Sequence, residues 1–349
     1  MNGEAAFYQA FLAASRRFWA GPLFRAMQRQ ISAAAVSRQI DPADDADEFA
    51  ALVHGHPTHG MFAWFERHLQ RMKYSGRWGL AGVLDARRDE LLSQVATPRA
   101  QLKLDPALSL PAYWLDHDIH QHPGGLAGDL GGFIYQAASG QGGVVGRPEL
   151  HERFAHTAVG GSSPRRILDL GCGFGRSTVA FATAAPDAQV TGIDLSASCL
   201  RIAAAEAPET LKDRLDYRQA DVAKLDPAEF PDGFDLVTST MLLHELPGPA
   251  LEAVIASTGR LLAPGGRAVH LDFLPPDDAL LRILYDGHSA RNNEPFMADL
   301  ARADLAESHL QAGFEHFETV PFAESSGALD LPPTRWRLPW AIIVATLKQ

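Results

Sequence analysis

The chain has 349 residues, 46% apolar and 21% charged, with 42 acidic against 31 basic side chains and a formal net charge of −11. That length points to two domains, and the acidic balance argues against nucleic acid, whose phosphates ask for a Lys/Arg surface, and against an anionic membrane face. Two cysteines, Cys172 and Cys199, supply neither a disulfide framework nor a CxxC metal site, and no apolar run reaches the ~20 residues of a membrane span, so a soluble protein of the reducing cytoplasm is expected.

Residues 1–112 read as a helical domain. Phe7, Phe11, Phe18, Leu23 and Met27 recur near helical spacing, a second helix runs through Phe62, Trp64, Phe65, Leu69 and Met72, and a third covers 84–95. The opening stretch carries Glu4 and lacks a continuous apolar core, which reads as an amphipathic helix rather than a signal peptide. Most of Phe7, Phe11, Phe18, Trp19 and Phe24 are expected to be buried, because an exposed aromatic stripe of that size is rare on monomers. The partner surface is either the rest of the chain or a second copy, so this domain is read as a cap, a homodimer contact, or both.

Residues 113–150 form a Gly/His-rich connector. Glycine pairs at 124–125, 131–132 and 142–143 argue for loops around one short helix. Its segment Asp116-His117-Asp118-Ile119-His120-Gln121-His122 holds three histidines and two aspartates. Such a cluster suits a divalent metal, a pocket lining or a hydrogen-bonded loop. No further His/Cys pair with metal spacing follows, so no metal is assigned; within a pocket lining, His120 is taken as a substrate ligand, and His122, like Tyr135 further on, as a catalytic candidate.

Residues 151–349 alternate. Strand-like runs at 166–170, 189–194, 215–219, 234–239, 267–273, 314–320 and 340–347 are separated by helical stretches at 177–185, 197–207, 249–262 and 298–312. This predicts an α/β fold with a doubly wound, seven-stranded, mostly parallel sheet. The last two runs have no helix between them, which predicts an antiparallel closing hairpin.

The first run leads into Leu170-Gly171-Cys172-Gly173-Phe174-Gly175, where glycines permit positive φ and close approach of a ligand to bare backbone. The second ends in Asp194-Leu195, with the carboxylate 23 residues after Gly171, placed to take ribose hydroxyls. The third ends in Asp221-Val222, a carboxylate and an apolar wall suited to adenine, and the fourth runs through Thr240 into the crevice where ligands bind. A dinucleotide dehydrogenase wants G-x-G-x-x-G, whereas the third glycine here stands one position early. Together with the turn at Leu261-Leu-Ala-Pro-Gly-Gly266, the ensemble resembles the class I S-adenosylmethionine (SAM)-dependent methyltransferases over roughly residues 150–349. The resemblance implies SAM as cofactor. It implies that Asp169 and the glycine turn (Gly171, Gly173, Gly175) hold the methionine moiety, Asp194 with Leu195 the ribose, and Asp221, Val222 and Thr240 the rest of the nucleoside pocket. It also suggests Tyr135 as an aromatic residue over the cofactor, with a core tyrosine as the alternative.

Methyl transfer from a sulfonium needs in-line approach and a dry site, with a base only where the acceptor carries a proton. His244, in Leu242-Leu-His-Glu-Leu246 just past the fourth strand, is the candidate base; the alternative is a residue that packs the following turn. The LHEL phrase is similar to small-molecule methyltransferases of the quinone-biosynthesis type, which implies a small-molecule acceptor. His288 and Arg291 lie in an insertion that commonly forms part of the substrate lid in this fold, and are candidate acceptor ligands. Cys172 reads as a small filler. O- or S-methylation is favoured with N and C open, and a non-catalytic SAM-binding regulatory homologue is the rival reading.

Overall fold

The computed structural model describes residues 3–140 and 148–348, so the glycine pair at 142–143 lies outside the described residues. Helix α1 (Gly3–Phe18) passes through a π-helical turn at Trp19–Leu23 into α2 (Phe24–Arg38). Pro22 sits inside that turn, and the wider spacing absorbs its missing N–H. Helices α3 (Ala46–Gly55), α4 (Pro57–Tyr74), α5 (Leu80–Asp85) and α6 (Arg88–Gln94) follow. The His56 ring accepts from the Thr58 N–H at the start of α4, with Pro57 at the first helical position. The stretch read as one helix over 84–95 breaks at residues 86–87, a break spanned by the Arg88–Asp85 ion pair at 3.0 Å.

The aromatic expectation holds for two of the five residues and fails for all three in α1. Trp19 and Phe24 are buried at 8% and 0% exposure, whereas Phe7, Phe11 and Phe18 are 77%, 52% and 47% exposed. The cause is helical phase: Ala5, Gln9 and Leu12 face inward, and the phenylalanines fall off that stripe.

After strand β1 (Gln101–Lys103) and helix α7 (Ala112–Leu115), α8 (Gly131–Ser139) and α9 (Pro148–Val159) lead into the alternating part. This comprises β2 (Arg166–Leu170), α10 (Arg176–Ala184), β3 (Gln189–Asp194), α11 (Ala197–Ala205), β4 (Leu215–Gln219), β5 (Phe234–Thr240), α12 (Gly248–Leu261) and β6 (Leu262–Phe273). It closes with α13 (Ala279–Asn292), α14 (Met297–Arg302), α15 (Leu305–Gln311), β7 (Phe314–Pro321) and β8 (Trp340–Leu347). Helix α13 occupies the insertion holding His288 and Arg291. The helix expected over 298–312 divides at residues 303–304, because the Asp304 carboxylate caps α15 by accepting from the Glu307 N–H at 3.0 Å. The pair Gly131-Gly132 opens α8 rather than a loop: a Cβ on Gly132 would stand 2.7 Å from the Cys199 backbone nitrogen, so glycine lets α8 lie against α11.

The sheet has eight strands in the order β1-β4-β3-β2-β5-β6-β8-β7. β1 to β6 pair in parallel, and β8 runs antiparallel between β6 and β7. β1 adds an edge strand to the seven expected, pairing Leu102 with Tyr217. The order reverses between β2 and β5, which opens a crevice at their carboxyl ends. One apolar core joins the two parts of the chain: Phe24, Phe62 and Trp336 pack with ring centroids 6.0–6.2 Å apart, and the same cluster continues into Ile167, Leu236 and Trp340. Trp336 lies on the segment 322–339 between β7 and β8, which ties the amino-terminal helices to the sheet.

Candidate active site

The apolar strand β2 delivers the chain into a turn that only glycine accommodates. Gly171, Gly173 and Gly175 have φ of 65°, 53° and 87°. Their surroundings differ. A Cβ at Gly171 would meet Leu242 at 2.8 Å and one at Gly175 the Tyr217 hydroxyl at 2.8 Å, whereas at Gly173 the nearest atom is Tyr135 Cε1 at 3.7 Å. Gly171 and Gly175 therefore answer to packing, and Gly173 leaves its backbone open to a cavity beneath Tyr135. Tyr135 meets Phe174 edge-on at 5.4 Å, and burial raises its hydroxyl pKa.

Asp169 is fully buried. Its Oδ2 accepts from Ser177 Oγ at 2.6 Å and Thr178 Oγ1 at 2.7 Å, and its Oδ1 has no protein partner. Burial lifts its pKa to about 7, against the pull of those two hydroxyls. Asp194, at the end of β3, accepts from the Gly173 N–H at 2.8 Å and the Ser196 N–H at 2.7 Å, and burial also raises its pKa. The carboxylate of Asp221 is taken by the Ala223 N–H at 3.0 Å and by Lys224 at 3.1 Å.

These elements meet a cavity of about 850 Å³, within the roughly 300–1,000 Å³ of ligand sites. On the sheet side it is lined by Gly171, Gly173, Asp194, Leu195, Val222, Thr240, His244 and Glu245; on the helical side by residues of α1, the π-helical turn and α4, among them Arg16, Trp19, Lys73 and Tyr74. Asp169, Gly175, Asp221 and Arg291 are not in its wall. Thr240 Oγ1 is buried without a partner.

The candidate acceptor residues fall into one buried chain of alternating acid and base. His244 is 2% exposed; its Nδ1 lies 2.6 Å from Asp272 Oδ1 and its Nε2 3.5 Å from Glu245 Oε1. Burial alone would lower the pKa of His244, yet the Asp272 carboxylate and then Glu245 hold it well above the ordinary imidazole value. Glu245 Oε1 also stands 3.3 Å from His120 Nε2, and His120 Nδ1 is 2.8 Å from Glu294. His288 bridges Glu66 at 2.5 Å and Glu294 at 3.6 Å, and Glu66 further binds Arg291 and, at 3.2 Å, Asn292. Against the cost of burial, these carboxylates raise His120 to about 10 and His288 to about 9. His120, expected at the acceptor, has φ of 56°, a left-handed turn that aims its ring between Glu245 and Glu294. Arg291, also expected there, is turned away from the cavity because Glu66 and the Leu284 carbonyl hold its guanidinium.

His122 belongs to a different environment. Its ring stacks on Tyr74 at 5.2 Å, its Nε2 lacks a partner, and burial lowers its pKa to about 4, which leaves it neutral. His117 packs on Phe296 at 5.5 Å. Among the described residues no group of three or more His, Cys, Asp or Glu side chains is arranged to hold a metal ion.

A family profile described as "Methyltransferase domain" matches residues 167–266, the span from β2 into β6 that carries the glycine turn, Asp194, Asp221 and His244. The sheet order agrees with it. Residues 167–266 are thus similar to a methyltransferase domain. The ubiquinone biosynthesis O-methyltransferase of Bordetella pertussis (strain Tohama I) is 40% identical over 167 residues, 45% of this chain and 65% of that protein. The enzyme of the same name from Psychrobacter arcticus is 39% identical over 175 residues, 47% of this chain and 64% of that one. The chain thus spans less than two thirds of these relatives' length. A solved phosphoethanolamine N-methyltransferase 2 from Haemonchus contortus, in complex with S-adenosyl-L-methionine, superposes with a TM-score of 0.49 at 17% identity, covering 69% of this chain and 61% of that one.

Around the cavity, the structure adds residues that the sequence did not single out. Asp272 closes β6, and its signal was a lone carboxylate in an apolar strand. Glu245 and Glu294 stood inside segments already flagged, but nothing in spacing shows that both reach His120. Glu66, Arg16 and Lys73 come from helices read only for their aromatic stripe.

Proposed function

We propose that the chain transfers a methyl group from SAM to a hydroxyl of a small molecule. Bound in the cavity, SAM supplies an electrophilic methyl on its sulfonium. The residues present fit it: Asp194, fixed by two backbone N–H groups, would hold the ribose, Leu195 and Val222 would offer apolar walls to adenine, and Asp169, whose Oδ1 has no partner among the described residues, precedes the turn that would carry the methionine end. The observation that carries the reading is the His244–Asp272 pair in the wall of the cavity that Asp194 also lines. Asp272 orients the imidazole and strengthens it as a base, so that neutral His244 can accept the hydroxyl proton as the oxygen attacks. A hydroxyl is an acceptor that has to lose a proton to such a group, and O-transfer is what the names of the relatives above carry.

In this reading residues 1–112 are the cap, 113–150 line the active site and 151–349 bind SAM. Two buried, unbridged cysteines fit a cytoplasmic setting, and the exposed Phe7, Phe11 and Phe18 fit a homodimer contact. The test is turnover: incubation with SAM and a panel of phenols, catechols, thiols and amines should yield S-adenosylhomocysteine, with a methyl ether from a phenol or catechol. A chain that binds SAM but turns over no member of the panel, thiols and amines included, would refute the enzyme reading.

A further inference from the structure

We propose that the acceptor of this methyltransferase carries an oxyanion, a carboxylate or phosphate, and that Arg16 and Lys73 hold it. The proposal rests on the reading of the cavity as a methyl-transfer site and adds the class of molecule it takes. Although the chain is acidic overall, with a net charge of −11, α1 and α4 turn Arg16, Arg17 and Lys73 into the cavity wall.

The acids of the histidine chain are already matched. Glu66 is taken by Arg291 and His288, Glu294 by His288 and His120, Glu245 by His120 and His244, and Asp272 by His244. Each of those four carboxylates thus has its partner among Arg291, His288, His120 and His244. Arg16 and Lys73, beside that chain, take no part in those pairs. The Arg16 guanidinium donates to a neutral amide, Gln70 Oε1, at 2.9 Å, and Glu66 reaches it only through space. The Lys73 ammonium lies 5.3 Å from the Tyr74 ring centre. Among the described residues neither forms an ion pair with a carboxylate. Both pKa values are depressed, by burial in each case, and for Lys73 by Arg16 as well.

A half-buried cation without a counter-ion is costly, and a bound oxyanion would remove that cost through charge-assisted hydrogen bonds. The arrangement is also held in register with the chemistry. Gln70 accepts from Arg16 at one end and donates through Nε2 to the His120 carbonyl at 3.1 Å, so the cationic pocket is braced against the histidine chain that ends at His244.

The test compares ligands that differ only in the anion. By calorimetry on the full chain, 3,4-dihydroxybenzoate should bind about tenfold or more tighter than catechol, and the difference should shrink to within about threefold in Arg16→Gln and in Lys73→Met. Phenyl phosphate in a third arm decides whether carboxylate or phosphate is preferred. Arg16→Lys, which keeps the charge, should retain the preference and guards against a folding defect in Arg16→Gln. Each titration is run with and without S-adenosylhomocysteine: failure of that nucleoside to bind would count against the methyltransferase reading, while the anion preference is still read on the free protein. Equal binding of catechol and 3,4-dihydroxybenzoate, a preference that survives both substitutions, or no binding of either anionic probe at millimolar concentration would overturn the proposal.

Discussion

His244 stands between two carboxylates that compete for its protons, and that placement sets its chemistry more than its identity does. Because Asp272 and Glu245 raise its pKa, the neutral form needed to accept a proton becomes available only at pH above the ordinary imidazole range. The kcat/KM profile should therefore rise with pH through a limb lying above pH ~6.5, and Asp272→Asn should move that limb downward. His244→Gln keeps a hydrogen bond but not the base, and should lower kcat by about 10²–10⁴-fold while SAM affinity stays nearly constant. Near-normal turnover in that variant would leave proximity and desolvation as the whole mechanism. At the other side of the cavity, Asp194→Ala should weaken SAM binding by about ten- to a hundredfold, since a diol held by a carboxylate contributes about 1.5–3 kcal/mol. Unchanged affinity in calorimetry would remove Asp194 from the site.

Elements place these residues through a few local devices. The α8–α11 contact depends on Gly132, where an added methyl would overlap the backbone at Ser198 and Cys199 by any realistic radius. Gly132→Ala should cost about 1–3 kcal/mol of stability by forcing the two helices apart. Because α8 carries Tyr135 over the glycine turn, the same change should weaken SAM binding, and a thermal melt paired with a binding isotherm reads both. Devices of this kind explain where chain-order reading stopped. Strand β1 escaped notice because Gln101-Leu102-Lys103 is three residues long with no alternation to detect, and only its pairing with β4 makes it a strand. The cap at Asp304 was visible in the sequence as an acidic residue within a helical run, but a run of helix formers outweighs one carboxylate until the N–H groups it satisfies are known.

For the molecule as a whole, the buried acid–histidine chain links α4, α13, the His120 turn and β6, so its protonation is coupled to folding. His120 at about 10 and His288 at about 9 lie above their unfolded value of ~6.5. Their contribution to stability is complete below pH ~6.5 and is lost as pH rises through about 9 and 10. Asp169 works in the same direction at lower pH, since its carboxyl at about 7 favours the protonated folded state and loses that advantage as pH climbs from the ordinary carboxylate range. The melting temperature should fall steadily from pH 6.5 to 10, and His120→Gln should make that slope shallower. A melting temperature that is flat over this range would show that the chain does not titrate as a unit.

The order of strands and helices, the glycine turn and the carboxylates at the ends of β3 and β4 were legible from sequence because each is a local signal: periodicity, a positive-φ requirement, a charge at a strand end. The phase of α1 was not. Its phenylalanines recur at helical spacing whether they face the core or solvent, and only the packing of Ala5, Gln9 and Leu12 decided that they face out. The partners of the histidines were illegible for the same reason. His244 and Asp272 are 28 residues apart, and His288 and Glu66 are 222 apart. No periodicity connects such positions, because the energy that pairs them arises only once folding has removed water from between them.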